Sequence, residues 1–62
     1  MMYKVLVADD YHPSADEAVT ALEGLVNEKL QEGWELQGGV SLAYDYETNS
    51  YSAAQAVVKK RK

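Results

Sequence analysis

The chain contains no cysteine, which excludes a disulfide framework and a thiolate zinc site. It also has no phenylalanine, and only one tryptophan, one proline and one histidine. No apolar run approaches the ~18 residues of a membrane-spanning helix. No basic segment followed by an apolar one opens the chain as a leader would. The expectation is a soluble, cytoplasmic protein with no membrane association. Basic residues are scarce and badly distributed. Of the six, four are the closing Lys59, Lys60, Arg61 and Lys62. The remaining Lys4 and Lys29 stand against ten acids, so the body carries a net charge of -8 and the whole chain -4. An acidic body repels phosphate backbones and attracts basic partners. Nucleic-acid binding through the tail would need a basic stripe continuing onto the fold. Only Lys4 is available for it, so nucleic acid is not an expected partner and the tail reads as a solvated terminus.

What is present is globular in kind. Apolar residues make up 47% and charged residues 26% of the 62 positions, which is not the composition of a disordered chain. The length allows one domain, here residues 1–58, with the basic tail over 59–62. A domain near 60 residues buries only about 60% of its unfolded surface and is marginal by itself. Such scaffolds lean on disulfides, a metal or self-association. With no cysteine and no metal-ligand spacing, self-association is the expectation.

The pattern along the chain gives four elements. Residues 2–8 read as a strand: Tyr3, Val5 and Val7 alternate with Met2, Lys4, Leu6 and Ala8, and both sets are partly apolar. Asp9, Asp10, Tyr11, His12 and Pro13 break the alternation and read as a loop. Ser14 with Glu17 three residues on has the form of a capping box, and Asp16 adds a second acid to the first turn. Ala18, Val19, Leu22, Leu25, Val26 and Leu30 then recur at three- and four-residue steps, the stripe of an amphipathic helix. Gly33 is the left-handed stop. Gly24 sits inside the helix, either to admit a close neighbour or simply tolerated.

Residues 34–44 form the clearest strand. Trp34, Leu36, Gly38, Val40, Leu42 and Tyr44 share one face; Glu35, Gln37, Gly39, Ser41, Ala43 and Asp45 share the other. The apolar parity is unchanged across Gly38-Gly39, whereas a one-residue bulge would flip it. A bend, or close approach by another chain, is expected there. Residues 45–50 are a turn with Asn49 able to take a positive φ. Residues 51–59 are the last strand, with small residues on both faces as in a central strand.

The order strand, helix, strand, strand implies an α+β fold, a two-layer β-α-β-β unit with one helix packed on a three-stranded sheet. Placing the third strand in the middle makes every neighbour antiparallel; the alternative keeps the first two strands adjacent as a right-handed crossover. Either way one helix covers one sheet face. The other is expected to carry Lys4, Leu6, Gln37, Ser41 and Ala43, with Gln55 and Val57. That mixture suits a protein-protein interface. Five of the six aromatics are tyrosine, a residue that buries area and keeps a polar tip.

Val5-Leu6-Val7-Ala8-Asp9-Asp10 followed by His12-Pro13 looks like the opening of a phosphorelay receiver, but a receiver needs about twice this length, a later phosphoacceptor Asp and a later Lys. A wider resemblance covers most of the chain. A Tyr-Lys-Val-Leu-Val opening, the run Leu30-Gln31-Glu32-Gly33-Trp34-Glu35-Leu36-Gln37-Gly38-Gly39-Val40-Ser41, and a last strand containing Ala54-Gln55-Ala56 resemble a family of short bacterial and phage domains of unknown function. The resemblance implies a small strand-helix-strand-strand unit, often encoded in phage or prophage, and supplies no catalytic residue.

His12 beside Asp9 and Asp10 is the one conceivable metal or acid-base site, and a lone imidazole in a loop does not make one. There is no activated nucleophile and no phosphate-cradling loop. The expectation is therefore not an enzyme, with no cofactor and no metal, but a homo-oligomeric interaction module with a protein partner. The alternative is a protein that binds or sequesters a small polar, nucleotide-like ligand at a subunit junction. Gln37, Gly38, Gly39, Ser41, Tyr44, Tyr51 and Gln55 are the candidate interface or ligand residues in both readings.

Overall fold

The structure, a computed structural model, describes residues 1–60. Arg61 and Lys62, the end of the expected basic tail, lie outside the described residues. The chain runs β1 (Met2–His12), α1 (Ala15–Gln31), β2 (Glu35–Asp45) and β3 (Ser50–Lys59). The sheet order is β1-β3-β2, and both pairings are antiparallel. This is the α+β architecture expected from the element order, with the third strand in the middle.

The helix is set at both ends by local chemistry. Ser14 Oγ accepts the backbone N–H of Glu17 at 3.2 Å, and Asp16 and Glu17 lie in the first turn where the helix dipole favours acids. At the other end Gly33 takes φ +96°. The Gly33 N–H donates to Leu30 O at 3.1 Å and the Trp34 N–H to Lys29 O at 3.0 Å, the paired bonds of a Schellman motif. Trp34 follows at once and packs half-buried against the core, while Lys59 Nζ stands 5.8 Å from its ring centre.

Gly24 lies in the exposed interior of α1, and a Cβ built there meets no atom within 4 Å. No neighbour within the chain requires it. Gly24→Ala is expected to stabilise the fold by about 1 kcal/mol, a rise in midpoint of about 4–8 °C for a domain of this size. A thermal melt followed by circular dichroism checks this.

The core is small. Leu6, Ala8, Ala18, Leu22, Ala53 and Val57 form it, and Leu22 and Val57 are its only large, fully buried side chains among the described residues. The helix lies over β1 and β3 and scarcely reaches β2, every residue of which is exposed. The outline is elongated, 44 × 16 × 15 Å, with a radius of gyration of 12.5 Å, against about 10.6 Å for a compact chain of this length.

Three expectations are corrected. First, β1 does not stop at Ala8. Ala8 pairs with Ala53 and His12 with Tyr51, so β1 advances four residues while β3 advances two. Residues 9–11 form a bulge, with Tyr11 at φ 56°; the break in alternation marked this bulge rather than a loop. Second, Gly38-Gly39 is also a bulge. Gln37 pairs with Ala56 and Ser41 with Ala54, again four residues against two. An insertion of two preserves parity, which is why the alternation gave no sign of it. Third, Lys4, Leu6, Gln55 and Val57 are not on the open face. Lys4 pairs with Val57 and Leu6 with Gln55, and Leu6 and Val57 lie in the core against Leu22. The open face carries Tyr3, Val5 and Val7 instead, paired with Val58, Ala56 and Ala54. Gln37, Ser41 and Ala43 do lie there, opposite Ala56, Ala54 and Ser52. The two apolar sets of β1 were equally plausible, and only the register onto β3 decides between them.

Candidate functional site

The seven residues singled out from sequence do not converge on one place. Gln37, Gly38 and Gln55 come together at the β2 bulge. Gln55 is buried on the helix-side face, and its Nε2 donates to Gln37 O at 3.2 Å, Gly38 O at 3.1 Å and Ala56 O at 2.9 Å. The amide thus bonds carbonyls of the bulged β2 segment, 37–38, and of the adjoining β3 backbone. Gly38 has φ +75°, a conformation that costs an L-residue roughly 1–2 kcal/mol. Gly39 belongs to the same bulge, and a Cβ added to either glycine would meet no atom of the chain within 4 Å. Backbone conformation at Gly38, rather than a tight neighbour within the chain, accounts for that glycine.

Tyr44 and Tyr51 meet at the other end of the β2-β3 hairpin. They pair across the strands, with ring centres 4.8 Å apart and planes tilted by 52°. The Tyr44 hydroxyl donates to Asn49 Oδ1 at 2.9 Å, and Asn49 takes the positive φ expected of it, 52°. The turn is closed further by Asp45 Oδ1, which accepts the Glu47 N–H at 2.9 Å. Ser41 stands apart from both groups on the open face.

His12 closes β1 opposite Tyr51. Its Nε2 is buried without a hydrogen-bond partner, next to a recess that His12 lines with Asp16, Glu17, Thr20 and Ala21. Among the described residues no group of three His, Asp or Glu side chains is placed to hold a metal ion, and no helix is long and apolar enough to cross a membrane.

Two apolar surfaces remain, and sequence reasoning picked out neither in full. The first is a cleft of about 480 Å³ between α1 and β2, walled by Val19, Val26, Leu36 and Val40, with Glu23 and Asn27 on its rim and Gln55 at its side. Leu42 and Tyr44 continue the β2 row; the four β2 side chains are 50–56% exposed. The alternation of β2 had identified this row as the core-facing one. It faces the helix side, but α1 is too far over β1 to cover it.

The second surface is the open sheet face. Tyr3, Val5 and Val7 are 65%, 48% and 47% exposed. They adjoin Ala54, Ala56 and Val58 in β3 and then Ser41 and Gln37 in β2. The interior of this face bears no charge; Glu35 and Asp45 fall at the two ends of β2. The signal for it was the second apolar set in β1, which looked like the core set.

Neither the comparison with curated proteins nor that with solved structures gives a match. The family model of a domain of unknown function, DUF1737, matches residues 1–60, and the chain belongs to that family.

Proposed function

We propose that the chain is a non-enzymatic interaction module that works as a homo-oligomer. The observation that carries this reading is the mismatch between covered and apolar surface. One helix covers two of three strands, and large apolar side chains stay half exposed on both faces of the sheet. Exposed apolar patches on so small a domain mark interaction surfaces, and a domain with only two large, fully buried side chains among the described residues gains stability by adding a partner's apolar surface to its core. The likeness of the opening strand, residues 30–41 and the last strand to short bacterial and phage domains supports a phage or prophage setting.

Association that accompanies folding makes stability depend on concentration. The thermal midpoint is expected to rise when protein concentration is raised from low to high micromolar, and sedimentation is expected to give a mass above 6.9 kDa. A single 6.9 kDa species with a concentration-independent midpoint would overturn the reading.

One observation favours a second reading. The α1-β2 cleft, at about 480 Å³, lies within the ~300–1,000 Å³ typical of small-molecule sites, and Glu23, Asn27 and Gln55 offer polar groups at its edge. On this reading the module binds or sequesters a small polar, nucleotide-like ligand there, with a second subunit completing the wall. A thermal-shift screen with linear and cyclic nucleotides tests it: a ligand that binds the native state raises the midpoint, and no rise with any of them counts against this reading alone.

A further inference from the structure

We infer that both apolar surfaces are covered by further copies of this chain, through two different contacts, so that the assembly contains at least four chains rather than two. This rests on the self-association proposed above and goes beyond it in fixing the surfaces and the minimum stoichiometry.

Area is the first argument. A tyrosine offers about 200 Å² and a valine or leucine on the order of 100 Å² of apolar surface. At the exposures observed, the row Leu36, Val40, Leu42 and Tyr44 leaves about 250 Å² uncovered, and Tyr3, Val5 and Val7 leave a similar area. Pairing one such patch with its copy buries roughly 500 Å² of apolar surface in total. A stable interface buries about 1,200–2,000 Å² altogether, about two thirds of it apolar in homodimers. One patch falls short of that. With both contacts made, each chain buries about 500 Å² of apolar surface, as much as one partner contributes to such an interface.

Geometry is the second. The row on β2 pairs with Val57, Ala53 and Tyr51, on the helix side of the sheet. Tyr3, Val5 and Val7 pair with Val58, Ala56 and Ala54, on the opposite side. A two-fold contact covers the same patch on each of two molecules, and one rigid partner cannot lie on both sides of a sheet at once. Covering both patches takes two partners per chain.

Charge favours a second copy as the occupant of the open face. A two-fold axis brings a surface against itself, so every charge near the axis meets its own kind, and like charges placed opposite each other destabilise. In a chain with sixteen charged residues, the positions Tyr3, Val5, Val7, Ala54, Ala56 and Val58 form a block with none. An edge-to-edge contact is less suited, because each outer strand is interrupted by a two-residue bulge, and that in β1 carries Asp9 and Asp10. With the open face paired to itself, the β2 row is left to meet its own copy as well. Two such contacts close at four chains or a larger even number.

The test uses the full chain. Native mass spectrometry at micromolar concentration is expected to show four or more subunits. Val5→Glu and Leu42→Glu are each expected to reduce this to a dimer, and the double substitution to a monomer. Either single variant could fail to fold, so a second readout stands beside the first. Because the chain has no cysteine, single cysteines can be placed at positions 5, 42 and 46. In the intact assembly, thiols at 5 and 42 are expected to react with a maleimide at least ten times more slowly than one at 46, where Tyr46 is 80% exposed. A dimer in which only one of the two thiols is protected overturns the inference and leaves the self-association reading in place. A larger assembly in which either thiol reacts as fast as that at 46 also overturns it. A monomer overturns both.

Discussion

Leu22→Ala is expected to bring the chain close to unfolding. Leu22 is 2% exposed and stands where α1 meets Leu6, Ala8, Ala53 and Val57. Truncating a buried leucine removes its transfer free energy and leaves a cavity, together about 2–5 kcal/mol. A domain of this length has on the order of 3–9 kcal/mol in all. The expected loss is therefore between about a fifth of the stability and all of it, and the midpoint falls by about 8 °C or more. Urea unfolding followed by circular dichroism measures it. Leu25→Ala is the control: Leu25 belongs to the same helical stripe but is 37% exposed, and its truncation is expected to cost about 1 kcal/mol or less. A Leu22→Ala variant no less stable than Leu25→Ala would mean that the principal core lies between subunits rather than beneath the helix.

The second large effect is expected at Gln55. Its Nε2 is shared among three carbonyl oxygens, Gln37 O, Gly38 O and Ala56 O. Gln55→Ala removes all three bonds and leaves a space in a buried position. Each net bond is worth about 1 kcal/mol, but β2 is exposed, so water can take over part of what the amide did. The expected cost is about 2 kcal/mol. Gln55→Glu discriminates more sharply. A carboxylate has no proton to donate, so ionised oxygen would face carbonyl oxygen in a buried site. The fold then favours the protonated acid and raises its pKa above the unfolded value of about 4.3. Stability of this variant is expected to be greatest below that pH and to fall as pH rises through the window between the unfolded and folded pKa values. At neutral pH it should be less stable than Gln55→Ala. Denaturant melts of the two variants at pH 4 and pH 7 measure the difference. Equal stability at both pH values would show that the amide does not hold the bulge.

These two positions were not equally legible in the sequence. Leu22 was visible as the centre of a stripe of apolar residues at helical spacing, because that periodicity is a local property of the helix. The caps at Ser14 and Gly33, and the positive φ at Asn49, were legible for the same reason: each depends on the chemistry of a few consecutive residues. Gln55 could be named as a candidate, but what it does could not be read. Its acceptors on β2 lie seventeen and eighteen residues away, and they are backbone carbonyls, which carry no sequence signature. The two bulges were hidden differently. Each inserts two residues, so the in-out alternation of β2 continues across Gly38-Gly39 as though nothing had been added, while in β1 the polar residues 9–11 imitate a loop.

The amino-acid sequence by itself determined the four elements, their caps and the antiparallel hairpin, because periodicity and turn chemistry act over short stretches. Tertiary structure alone decided which side of β1 and β3 lies beneath the helix. Strand alternation separates two faces without saying which is covered, and in β1 both are apolar. The pairing of Leu6 with Gln55 and of Lys4 with Val57 settles that choice. It turns Tyr3, Val5 and Val7 outward, and the placement of α1 over β1 and β3 leaves Leu36, Val40, Leu42 and Tyr44 uncovered on the other side.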